Sequence, residues 1–295
     1  MRITPAEAPI GADVLGLDLD GADTPALAEA LQAALDRHLV LRFPAAHLDQ
    51  AQLIRLAGLF GTVLTDRRNP DEPDTAHIDA VPELKVIANT RTADGRPFGD
   101  KGSEPQIWHS DGTHRVLPNA YSLLACQAAP EPPPATEFMS CYALYERLPA
   151  ALRREIAALS AIHSLHNRSQ GFWSFMEGAS LPVEKRAEGP AHPLVRLHPR
   201  THRPFLYLPR RRDALVAGWS AEASRRLMER LWAEVFACDA IVSVPLRAGD
   251  AVLNDNRATL HARDGWPEEA ARVIFHVSVA PEAPIAAYPP PRLAA

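Results

Sequence analysis

The sequence predicts an α+β fold in which helices pack outside a β-sandwich or β-barrel core. Short strand-like runs, each bounded by Pro, Gly or Asp, occur along the whole chain. These runs do not alternate regularly with helices, so a doubly wound parallel sheet is disfavoured. The 28 prolines are scattered and the 15 glycines are few, which suits short strands joined by turns.

The spacing of apolar residues places four helices and a set of short strands. The helices are expected from about Pro25 to His38 and from starts near Asp49, Pro149 and Ser220. Asp49 is expected to cap its helix. The strands are expected at Val14–Leu19, Leu39–Phe43, Leu84–Ala88, Tyr121–Gln127, Pro193–Leu197, Phe205–Leu208 and Val273–Val279.

Composition excludes several classes of protein. The 295 residues are 46% hydrophobic, which is enough for a large buried core. With 31 basic and 36 acidic side chains the net charge is −5, so the basic excess typical of nucleic-acid-binding proteins is absent. The one basic run, Arg210–Arg212, is interpreted as a solvated turn.

Cysteine usage and hydropathy bear on the compartment. The three cysteines are widely spaced and form no CxxC motif, which argues against disulfides and favours a cytoplasmic protein. The start of the sequence has no apolar signal-like region, and no run approaches membrane-spanning length. No membrane anchor is therefore expected.

One long segment resists assignment to a helix or a strand. Residues 167–191 contain Phe172 and Trp173, followed by a charged stretch with Gly and Pro. Long loops in compact domains are often lids or binding loops, although a surface insertion anchored by its aromatic residues fits equally well. Both interpretations stay open.

Three His-x-Asp motifs are candidates for a metal site, because residues i and i+2 at a strand end point to the same side. They are His47-Leu48-Asp49, His77-Ile78-Asp79 and His109-Ser110-Asp111. In the first, Asp49 is better explained as an N-cap, and the second lies in a polar loop. The third follows Ile107 and Trp108, an apolar approach that favours it without excluding an ordinary polar strand end.

A third metal ligand must come from a distant segment. His261 follows the apolar run Ala251–Leu253, where a histidine past a strand could meet the first pair across a barrel mouth. An ordinary hydrogen-bonded histidine with no metal role fits its position equally well. Two histidines and one carboxylate are a common Fe(II) ligand set in oxygen-activating enzymes. Arg272 opens an apolar strand and needs a carboxylate partner, either within the protein or on a ligand.

Together these segments resemble the taurine dioxygenase (TauD/TfdA) family over most of the chain. Trp108–Asp111 is similar to its WH-[ST]-D metal motif, and Asp255–His261 followed by Arg272 is similar to its C-terminal motif. The other similar segments are Gly11–Asp18, Val40–Pro44, Thr136, His192–Arg196 and His198–Thr201. The order and spacing of these segments are more specific than any one motif.

The resemblance implies a single domain over residues 1–295, with a double-stranded β-helix (jelly-roll, cupin-like) core of the clavaminate synthase type and flanking helices. It implies Fe(II) ligation by His109, Asp111 and His261. It further implies that Arg272 and Thr136 bind the distal carboxylate of 2-oxoglutarate, which would be the partner that Arg272 requires.

The implied reaction is a 2-oxoglutarate- and O2-dependent oxidation, by default a hydroxylation, of a small-molecule metabolite, with release of succinate and CO2. An amino-acid-like compound or a natural-product intermediate fits by analogy. Expected substrate contacts are Asn89, Phe172, Trp173 and His276. The taurine-cleaving branch has an arginine where this chain has His276, so a sulfonate substrate is disfavoured.

Two other hypotheses about the function are compatible with the sequence. A jelly-roll metalloenzyme of another class, a hydrolase or an isomerase, would not need the Arg272 and Thr136 pair. A non-catalytic binding protein of cupin type would not need all of His109, Asp111, His261 and Arg272. The partner is expected to be a small molecule, with neither nucleic acid nor membrane, and a homodimer or homotetramer is left open.

Overall fold

The computed structural model describes residues 1–21, 24–65, 81–99, 102–166 and 181–288. The strands β1 to β15 are, in order, Arg2–Pro5, Ala12–Leu15, Val40–Phe43, Lys85–Ala88, Gln106–His109, Tyr121–Ala128, Ala135–Ser140, Ser160–Ile162, Ala191–Pro193, Val195–Leu197, Pro204–Leu206, Ile241–Pro245, Ala251–Asp255, Thr259–Arg263 and Val273–Val279. The helices α1 to α6 are Thr24–His38, Gln50–Gly58, Cys141–Arg147, Ala150–Ile156, Val183–Ala187 and Ala221–Phe236.

Two sheets organise the described residues. The larger has seven strands in the order β1-β2-β3-β13-β6-β15-β4, and the smaller has four in the order β12-β7-β14-β5. All neighbours in these sheets are antiparallel except β2 and β3. Strands far apart along the chain lie side by side, so an α+β fold is confirmed in which mostly antiparallel sheets replace a regular strand–helix alternation.

The seven-stranded sheet is buried on both faces at its centre. One face packs against α1 and α2, through Leu31 and Leu53 among others, and the other face joins a second apolar cluster with α3 and α6. Alternate residues of β13 divide between these clusters, since Leu253 belongs to the first and Val252 to the second. This burial explains why these strands were recognisable as short apolar runs.

The predicted helices are confirmed, and α2 shows how local sequence sets a boundary. Asp49 accepts the backbone N–H of Gln52 at 2.8 Å, and the Gln52 side chain accepts the Asp49 N–H at 3.1 Å, forming a capping box. The seven predicted strands are also present, with shifted ends. The four strands of the smaller sheet were not among the predicted strands. Polar residues interrupt the apolar pattern in three of them, as in Thr259–Arg263, whereas the apolar strand Ile241–Pro245 was missed.

The interpretation of Arg210–Arg212 as a solvated turn is wrong. Arg211 is buried and makes a two-pronged ion pair with Asp213, at 2.9 Å and 3.1 Å. The Arg212 guanidinium lies 5.1 Å from the ring centre of Phe236. A run of charges looks solvated in a sequence because neither burial nor the packing of the turn is visible there.

The segment 167–191, predicted as a lid or an insertion, lies partly outside the described residues. Phe172, Trp173 and the motif His77–Asp79 lie outside them entirely. The described end of the segment contains helix α5 and is anchored, since Arg186 donates to the carbonyl of Asp213 at 2.9 Å. Among the described helices, none combines the length and apolar character that crossing a lipid bilayer requires.

A buried ionic network ties the end of β13 to neighbouring segments. Asp255 is 0% exposed, accepts Nε of Arg257 at 2.9 Å and contacts Nε2 of His198 at 3.0 Å. The Arg257 guanidinium in turn lies 4.3 Å from the ring centre of Tyr121. Burial raises the pKa of Asp255, but Arg257 and His198 lower it by more, so the carboxylate stays ionised.

Replacing Asp255 with Asn should destabilise the fold strongly, because Arg257 would remain buried without its counter-charge. We expect a loss of about 3–5 kcal/mol in the free energy of unfolding. The folded-state pKa lies below the unfolded value of ~3.9, so this contribution is complete above about pH 4 and is lost on acidification. Urea denaturation at neutral and acidic pH measures both effects.

The matched control is Asp13→Asn, which removes a pair with Arg42 whose side chains are 33% and 31% exposed. We expect that variant to lose no more than about 1 kcal/mol. Equal losses for the two variants would contradict a special role for the buried network.

Candidate metal and co-substrate site

His109 and His261 are brought together by strand pairing. His109 ends β5, His261 lies within β14, and the two are direct partners in the antiparallel register. Side chains of direct partners project from the same face of the sheet. Their ring centres are accordingly 4.1 Å apart, with Phe138 of β7 as the next ring at 6.0 Å from His261.

Asp111 completes the cluster from the turn that follows β5. One possible ligand atom from each of His109, Asp111 and His261 lies within 4.8 Å of the other two. The Oδ1 atom of Asp111 is 3.5 Å from Nε2 of His109 and 3.8 Å from Nε2 of His261. Two imidazoles and one carboxylate, converging in this way, fit the ligand set of a non-haem Fe(II) centre.

The tautomer of His109 suits metal binding. Its Nδ1 lies 2.6 Å from the carbonyl oxygen of Ile107, so Nδ1 must carry the proton and donate it. Nε2 is then left with a lone pair on the side of Asp111. A hydrogen bond from the other ring nitrogen to a backbone carbonyl fixes the orientation of the ring and raises the basicity of the ligand nitrogen.

The turn that carries Asp111 is held by the side chain of Asn256. Asn256 accepts the backbone N–H of Asp111 at 2.7 Å and donates to the carbonyls of Asp111 and Asn119 at 3.0 Å and 2.9 Å. From the other side, Nε2 of His192 donates to the carbonyls of Thr113 and Arg115, both at 3.0 Å. The position of the carboxylate is therefore set by hydrogen bonds to its own backbone.

His276 and Ser122 border the second oxygen of Asp111. Ser122 Oγ lies 3.0 Å from Asp111 Oδ2 and 2.7 Å from Nε2 of His276, which is itself 3.5 Å from Oδ2. Burial raises the pKa of Asp111, but the neighbouring imidazoles of His261, His109 and His276 hold it well below its usual value. Asp111 is thus an ionised ligand candidate, and His276 lies beside it, while the expected contact of His276 with substrate stays a prediction.

Arg272 is buried at the start of β15. It is 2% exposed, and burial lowers the pKa of its guanidinium to about 10, so it remains a cation at neutral pH. Among the described residues, no carboxylate lies within ion-pair distance of it, so the alternative of an internal salt bridge finds no support there. Its guanidinium lies 5.2 Å from the ring centre of Trp266.

Asn89 holds the segment that leads to Arg272. Its side-chain Nδ2 donates to the carbonyls of Glu268 and Ala270 at 2.8 Å and 2.9 Å, and its Oδ1 accepts the backbone N–H of Arg272 at 2.9 Å. These bonds support a positioning role for Asn89, while its expected contact with substrate stays a prediction. Thr136 is buried on β7.

Sequence reasoning missed Asn256, His192, Ser122 and Arg263. The first three act through contacts with residues far away in the sequence, so no local motif predicts them. Arg263 did carry a signal, since it stands two residues after His261 and so shares its face of β14. Burial and the nearby Arg272 lower the pKa of Arg263 to about 9.

Comparison with known proteins agrees with this geometry. The family model for taurine catabolism dioxygenase TauD, TfdA family, matches residues 2–278. The chain belongs to the TauD/TfdA dioxygenase family. Two of the relatives named below carry alpha-ketoglutarate, another name for 2-oxoglutarate, in their names. The chain is accordingly an Fe(II)- and 2-oxoglutarate-dependent dioxygenase that uses O2.

Three relatives illustrate the match. A "(S)-phenoxypropionate/alpha-ketoglutarate-dioxygenase" of Delftia acidovorans is 30% identical over 290 residues, 95% of each chain. An "alpha-ketoglutarate-dependent sulfate ester dioxygenase" of Pseudomonas putida is 30% identical over 293 residues, covering 97% of this chain and 91% of the relative. The solved structure of AAD-2 with Mn(II) and N-oxalylglycine superposes with a TM-score of 0.75 at 26% identity, covering 96% and 98%.

Replacing Gly112 with Ala should weaken metal binding, because this residue follows Asp111 in the tight turn. Gly112 has φ +66°, and a Cβ there would lie 2.6 Å from Oδ1 of Asn119. Either the turn or the buried, hydrogen-bonded Asn119 side chain must shift to relieve the contact, and we expect affinity for Mn(II) or Fe(II) to fall by roughly tenfold. Isothermal titration of the apoprotein with Mn(II) measures this.

Gly218→Ala is the matched control, with φ +80° and no atom within 4 Å of the added carbon. It carries the same backbone penalty of roughly 1 kcal/mol but should leave metal affinity unchanged. Unchanged metal binding by Gly112→Ala would show that the turn does not control the carboxylate.

Proposed function

We propose that this dioxygenase hydroxylates a small organic anion, with Fe(II) held by His109, Asp111 and His261. The observation that supports this most directly is that one possible ligand atom from each of these residues lies within 4.8 Å of the other two. We place the distal carboxylate of 2-oxoglutarate at Arg272, with Thr136 as its hydroxyl partner. Support for this is a buried arginine for which the described residues provide no carboxylate.

The fold that we propose is a double-stranded β-helix within one domain spanning residues 1–295. The four-stranded and seven-stranded sheets would be its two halves, with the metal ligands on the inner face of the smaller one. Support comes from the antiparallel order and the interleaved connections of both sheets.

The division of labour in the reaction follows from this arrangement. Bound iron, O2 and 2-oxoglutarate supply the oxidising chemistry, in which the keto acid becomes succinate and CO2 while the substrate is oxidised. The protein's share is binding and orientation. Nε2 of His109, Asp111 and His261 would hold the metal, Arg272 would orient the keto acid from its far end, and the buried surroundings of His109 would exclude water.

An anionic substrate is supported by the charges around the ligand cluster. Burial lowers the pKa of Arg210, and the charge of Asp111 acts against this shift, which places the guanidinium within electrostatic reach of the metal ligands. His276 lies beside Asp111 and can hold a polar or weakly anionic group. The phenoxypropionate and sulfate ester named for two relatives are also organic anions.

Loss of either member of the local ligand pair should abolish turnover. His109→Ala and Asp111→Ala remove one ligand each, so substrate-dependent succinate formation with Fe(II) and ascorbate should fall to background. His47→Asn alters another His-x-Asp motif, whose Asp49 caps α2, and should retain activity. Substantial turnover by either ligand variant would refute the metal assignment.

The substrate class can be tested with paired compounds. A library of small carboxylic acids, each beside its neutral methyl ester, is screened for succinate release above the rate seen without substrate. Acids should stimulate release at least roughly tenfold more than their esters, because a desolvated charge–charge contact is lost in the ester. Esters that perform as well as their acids would exclude an anion subsite.

A further inference from the structure

Arg263 and Arg272 form a pair of buried cations around one aromatic ring. Arg263 is 7% exposed and Arg272 is 2% exposed. Their guanidinium carbons lie 4.1 Å and 5.2 Å from the ring centre of Trp266, whose Nε1 donates to the carbonyl of Ala270 at 2.8 Å. The ring is therefore a fixed wall that orients both planar groups.

Neither guanidinium has a carboxylate within ion-pair distance among the residues that the structure describes. Arg263 donates through Nη2 to the carbonyl of Glu104 at 2.7 Å, but its buried Nη1 finds no acceptor in the described chain. The same holds for the buried Nε of Arg272. Two desolvated like charges are costly without an anion, so this arrangement indicates a negatively charged ligand.

The strand register places Arg263 on the co-substrate side of the sheet. Within β14 it has the same parity as His261, and its direct partner on β7 is Thr136. Residues of like parity face the same side, so the metal ligand, Thr136 and Arg263 share one face. Arg263 thus stands next to the threonine that we assign to the distal carboxylate.

We propose that Arg263 is a second positioning residue for 2-oxoglutarate, acting with Arg272 on its distal carboxylate. This inference rests on the proposed roles of Arg272 and Thr136 and adds a residue to them. A carboxylate has enough lone pairs to accept from two guanidinium groups. Arg263 and Arg272 together would then favour keto acids that have a distal carboxylate over keto acids whose distal end is uncharged.

The test compares two ligands that differ only at the far end. 2-Oxoglutarate and 2-oxovalerate share a five-carbon keto-acid chain, but the second has a methyl group in place of the distal carboxylate. Both are titrated calorimetrically into the Mn(II)-loaded protein, a readout independent of turnover. Arg263→Gln should weaken 2-oxoglutarate by about tenfold and change 2-oxovalerate by less than about twofold.

Two further variants sharpen the result. Arg263→Lys keeps the charge but loses the planar fork, so it should recover part of the affinity for 2-oxoglutarate. Arg225→Gln removes an exposed arginine paired with Glu229 on α6 and should change neither ligand. If Arg263→Gln weakens the binding of both keto acids equally, Arg263 only supports the loop at Glu104 and the inference is wrong. If the variant leaves the affinity for 2-oxoglutarate unchanged, the inference is likewise overturned.

Arg272→Gln separates this inference from the proposed function. It should weaken 2-oxoglutarate by about a hundredfold and remove most of its advantage over 2-oxovalerate. If Arg272→Gln leaves 2-oxoglutarate affinity unchanged, the co-substrate assignment itself fails. If Arg272→Gln weakens 2-oxoglutarate binding as expected and Arg263→Gln does not change it, only the proposed role of Arg263 is refuted.

Discussion

The pairing of β14 with β5 is the constraint on which the rest of the site depends. It sets His261 opposite His109, and Asp111 then needs only the short turn beyond β5 to join them. A slip of one residue would turn His261 to the opposite face of the sheet. The register is secured where Ser110 Oγ donates to the carbonyl of Thr259 at 2.7 Å, and on the far side of β14 by five consecutive pairs with β7.

A layer of polar side chains turns this register into a defined ligand geometry. The Asn256 side chain hydrogen-bonds to the backbone of Asp111, and His192 hydrogen-bonds to the turn that follows. The carbonyl of Ile107 fixes the ring of His109. Each of these contacts is buried or part-buried and pairs a backbone group with a side chain, so each supports the fold as well as the site. The ligands are consequently held in place by the protein before any metal binds, which lowers the cost of organising them.

The charge distribution of the site is opposite in sign to that of the chain. The whole protein carries a formal charge of −5, yet Arg263 and Arg272 are buried around Trp266, and the charge of Asp111 acts on Arg210. Burying such cations costs free energy in the empty protein. In the proposed assignment, the distal carboxylate of 2-oxoglutarate would offset that cost when the co-substrate binds.

Local patterns in the sequence were sufficient for some features. The His109-x-Asp111 spacing, the cap at Asp49 and the apolar strands of the larger sheet all depend on residues a few positions apart. The resemblance to a family added Thr136 and assigned roles to His261 and Arg272, which the residues alone had offered only as candidates. The sequence could not reveal that Arg210–Arg212 is a packed turn, that Asn256 holds Asp111, or that Arg263 pairs with Thr136. Those facts depend on which distant segments share a face or a buried contact, and only the tertiary packing of the sheets decides that, because no periodicity within one strand specifies its neighbour.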